Sequence, residues 1–533
     1  MNSKNSQTLK DSTITLIHHF LERSANRFPD KIALIHGDAR ATYNQINNQS
    51  NNLAHYLISK GVIKGDRIAL LMENCLEYAI SYYGILKTGA VAVPLNSDLK
   101  TDGLRYAIDD LEAKVMISSS RFEKLIQVSN LNDLGLSGLI LTKPIARRLS
   151  PIQNVIAFDD VALPHSTPNP DLEIKDTDLG SIIYTSGSTG GPKGVMLSHQ
   201  NIVHNTFSIC EYLHLTHEDI QMVVLPFFYG MGKSLLNTHF AVGGSIVINN
   251  KFAFPAMVLN EMISEKVTGF SGVPSTFAYF LHRSPLSSSR DKLSSLRYCS
   301  QAGGHMSRAI KEKLRRILPA HTEIYIMYGA TEGVARLSYL EPSRFRDKMD
   351  SIGKAIPGVT LKVLNDKGDE VPVGQVGELV AAGTNIMKGY WKKPEATAKA
   401  LVDGWYHTGD YAYRDEEGFF YLMGRKDDLL KVNGHRISTQ EIEDILMESG
   451  LFVEAVVLGI PDELLGNRLV TLIVPINGDW DKNKVLYYCS ERLPRYKIPV
   501  DIKYTGRLPK KTNGKIDRKS CCDLYEQLLN AGS

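Results

Sequence analysis

This chain is poor in the features that usually assign a sequence to a special class. Its six cysteines, Cys75, Cys210, Cys299, Cys489, Cys521 and Cys522, lack CxxC spacing and end in a vicinal pair. That argues against a disulfide framework or a thiolate zinc site and for reduced thiols. No run approaches 18 uninterrupted apolar residues, so no membrane span is expected. The opening residues, Met1-Asn2-Ser3-Lys4-Asn5-Ser6, are polar with no apolar signal core behind them, and the expected location is the cytoplasm. Charge of one sign is lacking too. Lys and Arg number 61 against 58 Asp and Glu, a net +3, so bulk charge makes no case for nucleic acid or an acidic membrane. What is there, 43% hydrophobic and 22% charged residues in 533, is globular composition too long for one core, so two or more domains are expected.

Apolar periodicity predicts a helix over 16–27, a strand over 31–35, a helix from Thr42-Tyr43 to about residue 60, a strand over 68–72 and a helix through Leu86. A glycine turn then leads into a buried strand ending at Pro94. Such alternation predicts an α/β fold of stacked, mostly parallel sheets. Between about 129 and 170 the pattern weakens into polar, proline-bearing loop. Past Gly353, short strands over 359–364 and 377–381 with Gly and Pro turns indicate a β subdomain. From Lys426 the pattern restarts as a helix over 439–448, strands over 454–458 and 469–474 and a helix over 481–492, a separate small α+β domain.

The most informative stretch is 184–194, Tyr-Thr-Ser-Gly-Ser-Thr-Gly-Gly-Pro-Lys-Gly. Four glycines, four hydroxyls and one lysine make a loop of unblocked amides and one cation, suited to a polyphosphate. It is not a Walker loop, because Pro192 stands where that motif needs glycine and Gly194 where it needs Ser or Thr. Its flanks, 181–183 and 195–197, have strand character, and Ser198 is placed to cap the helix that follows.

Further strand ends carry similar loops: Phe227-Phe228-Tyr229-Gly230-Met231-Gly232, Gly272-Val273-Pro274, Gln301-Ala302-Gly303-Gly304 and Tyr328-Gly329-Ala330-Thr331-Glu332. In an open α/β sheet, ligands lie beyond the carboxyl ends of strands, so these loops are expected to meet at one crevice. There Thr331 would bond a phosphoryl oxygen while Glu332 holds Mg²⁺, which takes one or two carboxylates beside substrate phosphates. Residues 383–391 add another glycine-aromatic loop. Asp410, in Tyr406-His407-Thr408-Gly409-Asp410, is a carboxylate of the kind that accepts both ribose hydroxyls, and Arg425 adds a donor to the same sugar. His407 is given no role. Between 492 and 519, ten Lys and Arg face only Asp501 and Asp517; most are expected to form a solvated face. Lys515 differs, because Gly514 frees the backbone and a turn can carry it toward a phosphate outside its own domain.

The order and spacing of 184–194, 328–332, 406–410, 424–427 and 509–515 resemble the adenylate-forming superfamily of acyl- and aryl-CoA synthetases, peptide-synthetase adenylation domains and luciferases, most of all an AMP-forming acyl-CoA synthetase. The resemblance covers nearly the whole chain. It implies a large N-terminal domain, residues 1–424, and a small mobile C-terminal domain, residues 425–533, with ATP and a carboxylic acid between them. It also implies that Thr185, Ser186, Gly187, Ser188, Thr189, Gly190 and Lys193 hold the β- and γ-phosphates, and that Gly303, Gly304, Tyr328, Gly329 and Ala330 frame the adenine. In the same pattern Thr331 meets the α-phosphate, Glu332 holds Mg²⁺, and Asp410 and Arg425 take the ribose. Asp427 would be the hinge and Lys515 the bridge between substrate carboxylate and α-phosphate. Lys431 and Gly434 would serve the thioester step, in which a thiol replaces AMP.

Many CoA synthetases have histidine where this chain has Tyr229, and amino-acid-activating domains place an aspartate in the same turn, which offers no anion here. A buried ammonium would therefore lack a partner. Phe228, Tyr229, Met231 and Val273 indicate an acid with an apolar body. The short span from Glu332 to Ser351 leaves no room for the insertion of fatty acyl-AMP ligases, so a thiol acceptor is expected: CoA first, then the phosphopantetheine of an acyl carrier protein, which the basic segment would dock. A luciferase-like oxygenase shares every motif. An inactive binding module predicts loss of Lys515, Glu332 or Asp410, and all three are present.

Overall fold

The computed structural model describes residues 14–143, 155–185, 192–425, 430–432, 435–462, 466–476, 480–511 and 515–530. Two large sheets face each other across buried helices. In the first, strands Glu323–Tyr328, Tyr298–Gln301, Gly269–Gly272, Ile220–Val223, Ser245–Ile248 and Ile32–His36 lie side by side and parallel, with antiparallel strands closing both edges. In the second, Leu179–Thr185, Val91–Pro94, Arg67–Leu71, Val115–Ser119, Gly138–Thr142 and Val155–Ala157 are parallel, and Lys193–Ser198 and Gly389–Tyr390 extend it antiparallel. The helix Leu76–Lys87 shows why the sheets stack. Tyr78, Tyr82, Tyr83, Ile85 and Leu86 are all fully buried, so it is apolar all round, as a helix enclosed on every side must be.

Local chemistry sets the helix starts. Thr42 caps Tyr43–Ser59 and Ser198 caps His199–Tyr212, each in a reciprocal box with the residue three positions on, Gln45 and Asn201. The predicted helix over 16–27 begins three residues later, at His19, after a turn. The expectation of loop over 129–170 is wrong in part. Strands Gly138–Thr142 and Val155–Ala157 add to the second sheet and a short helix Phe158–Val161 follows. The run Leu-Ile-Leu is too short to show a period by itself, and pairing with Val115–Ser119 decides it.

The β subdomain is a five-stranded antiparallel sheet built from Val359–Leu364, Gly377–Gly383, Leu401–Val402, Trp405–Arg414 and Phe420–Arg425. The separate C-terminal domain has the sheet Phe452–Asp462, Gly466–Pro475 and Asp501–Tyr504, with helices Thr439–Glu448, Lys482–Ser490 and Arg518–Asn530 packed around it. Six of the ten cations of its basic segment, Arg492, Arg495, Arg507, Lys511, Lys515 and Lys519, are exposed, as expected of most, and others are paired. Lys497 pairs with Glu441, Lys510 with Glu454 and Arg518 with the buried Glu443, all acids outside the run. Among the described residues no helix is long and apolar enough to cross a membrane.

Candidate active site

Strands Ile220–Val223, Gly269–Gly272, Tyr298–Gln301 and Glu323–Tyr328 are neighbours in one parallel array, so the loops that follow them leave by the same edge. This is the shared edge at which the strand ends predict a crevice. Gly329 must be glycine, because a Cβ there would stand 2.1 Å from the Ala335 carbonyl oxygen. Gly303 has φ +84°, and a Cβ on it would press at 3.1 Å on Val273, so the Gly303-Gly304 turn and the start of the helix Pro274–Arg283 are in close approach.

The glycine- and hydroxyl-rich stretch is a hairpin connection. Tyr184 pairs with Gly194 and Thr185 with Lys193 across the antiparallel strands, while Ser186, Gly187, Ser188, Thr189 and Gly190 lie outside the described residues. The Lys193 ammonium lies 5.1 Å over the Tyr390 ring, and the Tyr390 hydroxyl donates to Glu332 Oε1 at 2.7 Å. The backbone closes the same circuit. Met387 N–H bonds the Glu332 carbonyl at 2.8 Å and Trp391 N–H bonds the Gly194 carbonyl at 2.7 Å. Loop 383–391, given no role from sequence, thus ties the hairpin to Thr331 and Glu332 on a short 3₁₀ turn. Burial, reinforced by Glu332, raises the Tyr390 pKa, so this phenol stays a donor to the carboxylate.

Asp410 sits inside the strand Trp405–Arg414, opposite Arg425. Tyr328 donates its hydroxyl to Asp410 Oδ2 at 2.5 Å and Arg425 Nε donates to Oδ1 at 3.1 Å, so three residues distant in sequence form one unit. Burial, then Asp410, raises the Tyr328 pKa; for Arg425 burial works downward, and Asp410 overrides it. Lys511 N–H bonds the Lys515 carbonyl, and Lys510 and Ile516 pair antiparallel beside it. Although Lys515 is exposed by area, desolvation by the surrounding protein lowers its pKa. Arg425 pushes the same way, Asp410 opposes, Lys511 lowers and Glu332 opposes. Lys515 of the C-terminal domain thus stands within the electrostatic reach of Asp410 and Glu332 of the large domain and of Arg425 at the boundary. The seam is further joined by His305 Nε2 to Asp444 Oδ1 at 2.9 Å and by Lys510 over the Tyr279 ring at 4.5 Å. A cavity of about 530 Å³, lined by His282, Arg283, Ile476 and Tyr504 among others, also lies on this seam, apart from the residues above.

The family model described as AMP-binding enzyme matches residues 21–391, and that for the AMP-binding enzyme C-terminal domain matches 441–515. The chain belongs to the AMP-binding enzyme family. Among its relatives, a long-chain-fatty-acid–CoA ligase of Bacillus subtilis is 31% identical over 94% of this chain and 93% of its own length. A feruloyl-CoA synthase of an Amycolatopsis species is 32% identical over 93% and 96%. The solved structure of an anthranilate CoA ligase in complex with anthranoyl-AMP superposes with a TM-score of 0.86 at 26% identity, covering 96% of this chain and 97% of that one. The o-succinylbenzoate CoA synthetase of B. subtilis, solved with its acyl-adenylate, gives 0.80 at 27% identity over 94% and 97%. This member of the AMP-binding enzyme family is therefore an ATP-dependent, AMP-forming acid–thiol ligase of the acyl-CoA ligase type.

Of the remaining sequence expectations, Asp427 and Gly434 lie outside the described residues, and Lys431 is placed by its backbone in the strand Leu430–Val432. Phe228 and Tyr229 pack with ring centroids 4.3 Å apart, Phe228 buried and Tyr229 half-buried, at the start of the helix Gly230–Val242; Met231 is half-buried against the core. His407 Nδ1 lies 3.1 Å from Glu378 Oε2 in the β subdomain sheet. Sequence reading missed two groups. Tyr390 carries no signal except its glycine-rich loop. Lys233 lies one turn into the helix Gly230–Val242 and is 2% exposed, on a helix buried along nearly its whole length.

Proposed function

We propose that this protein activates an acid with an apolar body, using MgATP, and transfers the acyl group to CoA. In the first half-reaction a carboxylate oxygen of the acid bonds to the α-phosphorus, the bond from that phosphorus to the bridging oxygen breaks, and pyrophosphate leaves. In the second, the CoA sulfur bonds to the acyl carbon, the acyl–phosphate C–O bond breaks, and AMP leaves while the thiol proton goes to solvent. The observation that supports this reading best is Lys515. A C-terminal-domain ammonium is held where Asp410, Arg425 and Glu332 all act on it. Attack of an anion on a polyanion needs such a cation aimed where charge develops.

The residues present suit the ligands this assigns. Asp410, already accepting from Tyr328 and Arg425, is an oriented carboxylate that can take the ribose hydroxyls. Glu332, oriented by the Tyr390 hydroxyl, would hold Mg²⁺, which when bound neutralises charge on the phosphate oxygens. Thr185 and Lys193 hold the leaving pyrophosphate, Thr331 meets the α-phosphate, and the turn Gly303-Gly304 with Tyr328 frames the base. Phe228, Tyr229, Met231 and Val273 shape the acid's seat. After adenylation Lys515 must leave so that the thiol can enter. A swing about Asp427, at the proposed boundary of 1–424 and 425–533, would do this and bring Lys431 and Gly434 to the thiol.

A paired assay tests the reading. Lys515→Ala should lower acid-dependent ATP–pyrophosphate exchange roughly 10²- to 10³-fold. Thioester formation from supplied acyl-adenylate should stay near the wild-type rate. Equal loss in both halves, or in neither, would overturn the assignment, and running the second half with CoA against a phosphopantetheinylated carrier protein identifies the acceptor.

A further inference from the structure

Behind the Tyr229 turn the structure contains two buried polar groups that the chemistry above does not use. Lys233 Nζ has one hydrogen bond, to Ser181 Oγ at 3.2 Å, and lies 5.0 Å over the Tyr82 ring. Among the described residues no carboxylate pairs with it, and its pKa is drawn well down by burial alone. This contrasts with the other buried lysine near the sheet interface, Lys87, which bonds Glu22 Oε1, Asn47 and Asn169. Asn205, fully buried on the helix His199–Tyr212, donates its Nδ2 to the Arg336 carbonyl at 2.9 Å and leaves Oδ1 with no partner. A buried polar atom without a partner is costly enough to need a reason.

Both residues line one small cavity, together with Gly230, Asn237, Ile183 and Val334. Two of those neighbours connect it to the reaction centre. Gly230 follows Tyr229 in the aromatic turn, and Val334 follows the Thr331–Gly333 turn that carries Glu332. Val334 has φ +66° and ψ −63°, a strained backbone for a β-branched residue, and a Cβ on Gly230 would stand 2.7 Å from its carbonyl oxygen. Strain of this kind persists where the surroundings impose it, and here it forms the wall shared by cavity and site. The cavity, about 10 Å³, has room for a single water-sized group.

We propose that this cavity is the polar end of the acid's seat and that Lys233 and Asn205 select an acid bearing a hydroxyl group on its apolar body. A lysine head offers donors and the free amide oxygen accepts. One hydroxyl oxygen can accept from the first while its hydrogen goes to the second, which gives Lys233 a partner beside Ser181 and satisfies the orphaned Asn205 oxygen. An acid lacking the hydroxyl leaves the Asn205 oxygen unpaired and the Lys233 head with Ser181 alone, and buried groups left short of partners are what give hydroxyl-reading sites their selectivity. The inference rests on the ligase reading above and narrows its substrate class to hydroxy acids, aryl or alkyl.

The test uses the full-length enzyme and ATP–pyrophosphate exchange with matched acids. The panel sets benzoate, cinnamate and octanoate against their hydroxylated counterparts, the aryl acids at each ring position and the alkyl acid at each carbon. The wild type should favour one hydroxy acid over its parent by about 10- to 100-fold in kcat/KM, the range set by leaving a buried donor or acceptor unsatisfied. Lys233→Met should remove that preference, lowering the hydroxy acid and raising the parent. Lys233→Gln, which keeps a donor, should retain part of it. Equal use of parent and hydroxy acid by the wild type, or a preference that survives in Lys233→Met, overturns the inference and leaves the ligase reading standing. A lowered melting temperature with equal loss on both acids makes Lys233 a structural residue and also overturns it. Exchange with no acid at all counts against the ligase reading itself, and the inference falls with it.

Discussion

Lys515 shows how much one side chain's surroundings decide. Its pKa is lowered by desolvation first, with Arg425 and Lys511 adding and Asp410 and Glu332 opposing. Only the ammonium form can bridge a carboxylate and a phosphate, so the proposed adenylation half-reaction should fall as pH rises through this lowered value, earlier than an ordinary lysine allows. Thioester formation from supplied adenylate should lack that alkaline limb. In Lys515→Arg the limb should move beyond the measurable range, since a guanidinium does not deprotonate there; pH–rate profiles of the two half-reactions check both statements. Lys515, Glu332 and Asp410 were legible as candidates because each sits beside glycines or at a strand end, positions that sequence pattern reveals. Tyr390 was not, because its meaning is a bond to Glu332 across 58 positions of sequence. Lys233 was not either, since a lone lysine in a helix looks solvated until the second sheet is placed over it.

At the scale of elements, the sequence carried most where local chemistry and tertiary pairing agree. Ser198 was readable as a cap, and its side chain does accept from Asn201 N–H at 3.1 Å while Asn201 returns a bond to the Ser198 N–H. Ser198→Ala should cost about 1 kcal/mol of stability, measured as a drop in the denaturant midpoint with unchanged slope. Because this helix also carries Asn205, that variant should leave acid preference intact if the cap alone is lost. The strand Gly138–Thr142 was illegible for the opposite reason: only its neighbours at Val115–Ser119 and Val155–Ala157 make Leu139, Ile140 and Leu141 a strand. The order of loops along the parallel array was legible as a crevice, since strand ends of a parallel sheet share an edge whatever the detailed register.

Across the whole molecule, the C-terminal domain is held against the large one by His305 with Asp444 and by Lys510 over Tyr279, with Lys515 reaching inward. The His305 and Asp444 side chains are 30% and 27% exposed, and a pair so open to solvent is worth only about 0.2–1 kcal/mol. Asp444→Asn should thus lower adenylation by no more than about 5-fold, without slowing thioester formation from supplied adenylate; stopped-flow measurement of the two halves separates these. Equal slowing of both would argue against this contact as a bias between domain arrangements. Finally, the ribbon from Met387 to Trp391 has its ends bonded to the carbonyls of Glu332 and Gly194. Four residue steps of extended chain reach at most about 14 Å. With the two hydrogen bonds added, the Glu332 and Gly194 carbonyl oxygens cannot part beyond about 20 Å while these bonds hold, however the loops move, so the ribbon acts as a tether. In the proposed function this tether keeps Lys193 and Glu332 on one polyphosphate while the C-terminal domain swings.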